Sequence, residues 1–86
     1  MTGFFNLQFK SSVRKDLKSI PHEDVRRILD ALNDLKVNPR PANAQPLTGR
    51  DARRVRIGRY RAIYTIDDDC LIVEVVKVGH RKDIYR

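Results

Sequence analysis

The sequence predicts an α+β fold in the order β-α-α-β-β-β, with a small antiparallel-rich sheet, a two-helix hairpin packed on one face and a basic open face on the other. Three patterns carry that expectation. Phe5, Leu7 and Phe9 alternate with polar residues, as in a half-buried strand. Val25, Ile28, Leu29, Leu32 and Leu35 form an apolar stripe at helical spacing. Residues 53–64 read as two strands around Gly58-Arg59, a two-residue turn of type II′ with glycine first.

The first strand covers residues 5–9, and Ser11 and Ser12 follow as helix N-caps. Val13, Leu17 and Ile20 mark a short helix. Pro21 begins the second, with Glu23 and Asp24 in its first turn, where carboxylates meet the positive end of the helix dipole. Asn38-Pro39 stops it. Residues 38–50 read as an extended crossing loop, because Pro39, Pro41 and Pro46 oppose regular structure. The hairpin supplies the second and third strands. Asp67-Asp68-Asp69 is a hydrophilic turn, and residues 70–78, rich in β-branched side chains, form the fourth strand. With Asp68-Asp69 as the loop, Ile66 faces Leu71, Tyr64 faces Val73 and Ala62 faces Val75. Glu74 then falls beside Ile63. Gly79 bends the chain into a polar tail, residues 80–86. Pattern alone does not place the first strand in the sheet order.

The hairpin turn fixes a register in which Ile57 faces Tyr60, Arg56 faces Arg61, Val55 faces Ala62 and Arg54 faces Ile63. Opposed residues share a face of the sheet. One face collects Val55, Ile57, Tyr60, Ala62 and Tyr64; the other collects Arg54, Arg56 and Arg61. Like charges directly opposite destabilise a sheet by up to ~1 kcal/mol. A bound polyanion is the simplest reason to gather them.

The 86 residues form one domain, 1–86, with 18 Lys and Arg against 11 Asp and Glu, a net charge of +7. Six arginines against one aspartate lie in residues 50–61. Such a balance points to nucleic acid or an acidic protein as partner. One cysteine, Cys70, makes no internal disulfide, and no Cys/His set has metal-ligand spacing. These features favour a reducing, cytoplasmic setting, with no metal and no cofactor. No run reaches the ~18 apolar residues of a membrane span, and the Phe4-Phe5 segment is too short for a signal core.

Metal-free RNA cleavage needs a 2′-hydroxyl to lose its proton, a phosphorane to be stabilised and a 5′-oxygen to be protonated. Arg61 and Arg81 suit the charge-stabilising role. Arginine is a poor proton shuttle. His80 has the reference pKa of an acid or base, and Tyr85 becomes a base only where cations lower its pKa. Each residue also has a plainer role: Arg54 and Arg56 as solvated strand residues, Arg61 as an ion-pair partner of Glu74, His80 as an exposed bend residue and Tyr85 as edge packing.

The segment 56–64, RIGRYRAIY, followed by 76–86, VKVGHRKDIYR, resembles the RelE-type toxins of the RelE/ParE toxin–antitoxin superfamily. Pro46-Leu47-Thr48-Gly49 is similar to that family's approach to the second strand. The resemblance spans the chain and implies a ribosome-dependent messenger RNA endonuclease. Such a toxin cuts messages in the ribosomal A site by 2′-hydroxyl attack and so inhibits translation. It also implies a cognate antitoxin, with no membrane and no small-molecule cofactor involved. Carried over by motif, the catalytic set is Arg61, Arg81 and Tyr85. Arg54, Arg56, His80 and Lys82 are the RNA-binding set. Positions 54 and 56 are often lysine in the family; arginine keeps its proton, so phosphate binding and transition-state stabilisation are the roles left to them. The alternatives are a ParE-like toxin that poisons DNA gyrase and a non-catalytic RNA- or ribosome-binding module.

Overall fold

A computed structural model describes residues 4–47 and 51–80. The described elements are β1 (Asn6–Phe9), α1 (Ser11–Lys18), α2 (His22–Asn33), a 3₁₀ turn (Asp34–Lys36), β2 (Ala44–Pro46), β3 (Ala52–Ile57), β4 (Tyr60–Asp67) and β5 (Ile72–His80). The strands form one sheet in the order β1-β5-β4-β3-β2. β1 runs parallel to β5 at one edge, and the other pairings are antiparallel. This is the expected α+β class, with one strand more than the sequence predicts.

The core lies between the helices and one face of the sheet. Val13, Ile28, Leu32 and Leu35 pack with Val55, Ala62, Tyr64, Val73, Val75 and Val78. Most of the predicted helical stripe is therefore buried, but Leu29 stays 38% exposed. Neither helix has a side-chain N-cap: Lys10 precedes α1 in place of the expected serine cap, and Pro21 precedes α2. The Pro21 carbonyl instead accepts the Asp24 and Val25 N–H groups, each at 3.0 Å. Tyr64 donates its hydroxyl to the Pro39 carbonyl at 2.7 Å, so its buried polar end is satisfied. β1 pairs only with residues 72–75 of β5, and beyond them Asp16 of α1 accepts the Val78 N–H at 3.1 Å.

The predicted β3–β4 register is observed in full. Gly58 has φ +60°, and no described non-glycine residue except Leu71 has a positive φ, so Arg59 fits the second position of a type II′ turn.

Four expectations are corrected. Residues 44–46 are a strand, not part of a featureless loop, and pair with residues 53–55. Pro46 is tolerated because β2 is an edge, where a missing N–H interrupts no second ladder. The β4–β5 register is displaced: Ile66 faces Val73 and Tyr64 faces Val75. The turn takes residues 68–71, with the Asp67 carboxylate accepting the Cys70 N–H at 2.9 Å and Leu71 at φ +55°. An irregularity between Ile63 and Tyr64 then leaves Val76 without an opposite number and sets Ala62 against Val78. Because the first displacement is two residues, the core side chains stay on the core face. Glu74 consequently faces Thr65, four residues along β4 from Arg61, roughly 13 Å at strand rise, which removes the Arg61–Glu74 pairing. Finally, Gly79 is a strand residue opposite Arg61 and not a bend, so β5 continues to His80.

Candidate nucleic-acid interface

Alternation along β3 and β4 turns Arg54, Arg56 and Arg61 to the face away from the helices. The three line one open hollow of about 250 Å³ together with Asn43 and Gln45. This is below the ~300–1,000 Å³ of sites that enclose a drug-sized ligand, and it suits an extended backbone lying across the sheet. Gln45 faces Arg54 across the β2–β3 ladder and accepts from its Nη2 at 3.2 Å. Arg56 is exposed. Arg61 is only 8% exposed and is the one charged side chain buried among the described residues. A guanidinium cannot shed its proton to ease that burial, so the hollow holds a fixed positive charge at its base. Gly79 across the ladder puts no side chain against it.

His80 belongs to the opposite face. It pairs with Tyr60, and their rings meet edge-on with centroids 5.8 Å apart and planes at 76°. Tyr60 lies on the helix side and donates its hydroxyl to Asp24 of α2 at 2.9 Å. His80, expected among the phosphate binders, therefore lies on the other face of the sheet from the three arginines. The extra residue Val76 is the reason: beyond it the alternation of β5 is reversed, so that Val78 and His80 face the helices. Arg81, Lys82 and Tyr85 lie outside the described residues.

The two described phenols, Tyr60 and Tyr64, are both held above their ordinary values. The Asp24 hydrogen bond holds the Tyr60 hydroxyl above its ordinary value, with burial and the Asp24 charge adding to it. Burial raises Tyr64, against an opposing pull from Arg53 and Arg40. The Asp67 charge and hydrogen bond push the exposed Cys70 thiol up, away from a reactive thiolate. Among the described residues no group of three or more His, Cys, Asp or Glu side chains is placed to hold a metal ion. No helix there is long and apolar enough to cross a membrane.

Sequence reading missed Asn43 and Gln45, which sit in the segment assigned to a loop. The only signal for them is the short alternation of Ala44, buried in the core, with Gln45, exposed on the hollow. It also missed the Tyr60–Asp24 bond, which joins residues 36 apart.

The architecture is a small α+β domain, a five-stranded sheet backed by two helices with a basic hollow on its open face, and comparisons with known proteins give it a family. Residues 7–85 match the family model described as ParE toxin of the type II toxin–antitoxin system parDE. A Methanocaldococcus jannaschii protein named "Putative toxin RelE1" is 33% identical over 86 residues, covering 95% of this chain and 96% of that protein. Toxin RelG of Mycobacterium tuberculosis is 32% identical over 87 residues, covering 95% and 97%. A chain in the toxin–antitoxin complex RelBE2 of the same organism superposes with a TM-score of 0.81 at 27% identity, over 91% of this chain and 99% of that one. The chain belongs to the RelE/ParE superfamily of type II toxins, as a RelE-type member.

Proposed function

We propose that this chain is the toxin of a type II toxin–antitoxin system and cleaves messenger RNA on the ribosome. The observation that carries the reading is the convergence of Arg54, Arg56 and buried Arg61 on one hollow. A message laid across it meets two guanidinium groups that hold phosphate oxygens and a third, fixed at the base, that meets the charge of the phosphorane. The 2′-hydroxyl gives up its proton and attacks the adjacent phosphorus, the bond to the 5′-oxygen breaks as that oxygen takes up a proton, and a 2′,3′-cyclic phosphate and a 5′-hydroxyl remain. Arg81 adds a second stabilising charge and Tyr85 takes part in proton transfer, with Lys82 binding RNA. His80, turned to the helix side, is left out of the phosphate-binding set. A cognate antitoxin silences the toxin, a proposal supported by the RelE–RelB assembly of a structural relative from Pyrococcus horikoshii. The cytoplasm, where messages are translated, is the setting this activity requires.

Primer extension on translated messages tests the reading. Cuts positioned by codon should appear with the wild-type protein and vanish without ribosomes. Arg61→Ala should slow cutting by about 10²–10³, the usual cost of one oxyanion-stabilising donor, while leaving ribosome binding largely intact. The description of the matching family model favours one rival, a ParE-like toxin acting on DNA gyrase. That activity would give DNA breaks with messages uncut.

A further inference from the structure

Tyr60 joins three parts of the molecule that the RNA-cleaving reading leaves unconnected. Its hydroxyl donates to Asp24 Oδ2, at 2.9 Å, in the first turn of α2. Its ring meets His80, the last residue of β5 and the one bonded directly to Arg81. Its own peptide leads to Arg61, whose side chain turns the other way into the arginine hollow. We propose that Tyr60, held by Asp24, is the positioning residue of the cleavage site: it fixes the start of β4, and so Arg61, against the paired end of β5 at His80. The inference rests on the RNA-cleaving reading and adds a residue to it.

The geometry supports positioning over chemistry. Tyr60 and Arg61 are consecutive strand residues, so their side chains stand on opposite faces and Tyr60 does not reach a phosphate bound by Arg61. Its hydroxyl is already committed as a donor to a carboxylate. The hairpin tip that carries it, Gly58-Arg59, is a two-residue turn with no other described hydrogen bond to α2, so this bond ties tip to helix. Without it, the hairpin tip loses its described hydrogen bond to α2, while the neighbouring end of β5 stays tied to α1 through the Val78 N–H on Asp16. Displacements of about 1 Å in a reacting constellation cost up to 10²-fold in rate.

Tyr60→Phe keeps the ring against His80 and deletes the bond to Asp24. Asp24→Ala deletes the same bond from the other side, and Asp24→Asn retains an oxygen acceptor. The test is single-turnover cleavage of a ribosome-bound message, with ribosome affinity and thermal midpoint measured on the same preparations. Tyr60→Phe and Asp24→Ala should slow the cleavage step about ten- to a hundredfold. Ribosome affinity should stay within about twofold, separating the chemical step from binding. Asp24→Asn should recover most of the lost rate, and the double variant Tyr60→Phe/Asp24→Ala should be no slower than either single one. Wild-type rates in both single variants, or rate losses matched by equal losses of affinity, overturn the positioning role and leave the cleavage reading standing. A wild-type protein that cuts no message overturns both.

Discussion

On β4, Tyr60, Ala62 and Tyr64 face the helices, while Arg61, in between, faces the hollow with Arg54 and Arg56. The helix face is closed by packing and by two phenol hydrogen bonds, one to Asp24 and one to the Pro39 carbonyl. The arginine face sets Arg56 directly against Arg61, a pairing that costs the sheet up to ~1 kcal/mol. One face therefore holds the apolar core together, and the other sets two like charges opposite each other. Period-two alternation binds them: the burial of Ala62 and Tyr64 is what keeps Arg61 turned the other way.

The comparison breaks most visibly at Tyr64. Its side chain is fully buried in the core, so Tyr64→Ala should lower unfolding stability by about 3–5 kcal/mol, much of what a domain this size has. Urea denaturation followed by circular dichroism measures it; a loss below about 1 kcal/mol would show that the helix face is not the principal source of stability. Tyr64→Phe is a finer cut. It leaves the ring in place and strands the Pro39 carbonyl, at an expected cost of about 1–3 kcal/mol. Arg56→Ala should move the other way. Arg56 is exposed and faces Arg61, so its removal should leave stability unchanged or raise it by up to ~1 kcal/mol while weakening RNA binding. A clear destabilisation there would mean that the arginine face contributes to the fold after all.

The same two-sidedness decides what could be read from the residues. Gly58 fixes a two-residue turn, the turn fixes the register, and the register sorts Val55, Ala62 and Tyr64 from Arg54, Arg56 and Arg61 without tertiary information. The β4–β5 hairpin had no such marker. Its acidic run allows more than one loop length, and the choice falls to the Asp67 side chain on the Cys70 N–H and to a left-handed Leu71. The extra residue, Val76, is hidden in a run of β-branched residues that reads equally well in either register. As far as Val75 the faces are as expected, because the displacement there is by two. His80 lies on the helix side because the extra residue Val76 reverses the alternation beyond it and pairing with β4 carries the strand through residue 80. β2 was obscured by its proline and its three-residue length, and with it went the two amide side chains, Asn43 and Gln45, at the edge of the hollow.

The smallest expected effect tests how the crossing segment is held over the core. Arg40 Nη2 and Nη1 reach Asp68 Oδ2 and Oδ1 at 2.7 and 3.1 Å, tying the residues after α2 to the β4–β5 turn. Pro39, which accepts from Tyr64, immediately precedes Arg40, so this outer pair lies at the same end of the core. Both side chains are well exposed, and solvent and salt screen the pair. The Arg40 hydrogen bond holds the Asp68 carboxyl below its ordinary value, only partly opposed by desolvation. A depressed folded value means that the contribution is present above the unfolded carboxylate pKa, about 3.9, and is lost as pH falls through the still lower folded one. Asp68→Asn should therefore be slightly less stable than wild type near neutral pH, and the gap should close as the pH falls below about 4 and narrow in high salt. Denaturation midpoints of the two proteins, compared across pH and ionic strength, measure this. A gap that persists unchanged in acid would mean that Asp68 acts through the turn and not through Arg40, and the core end at Pro39 would then rest on the Tyr64 hydroxyl alone.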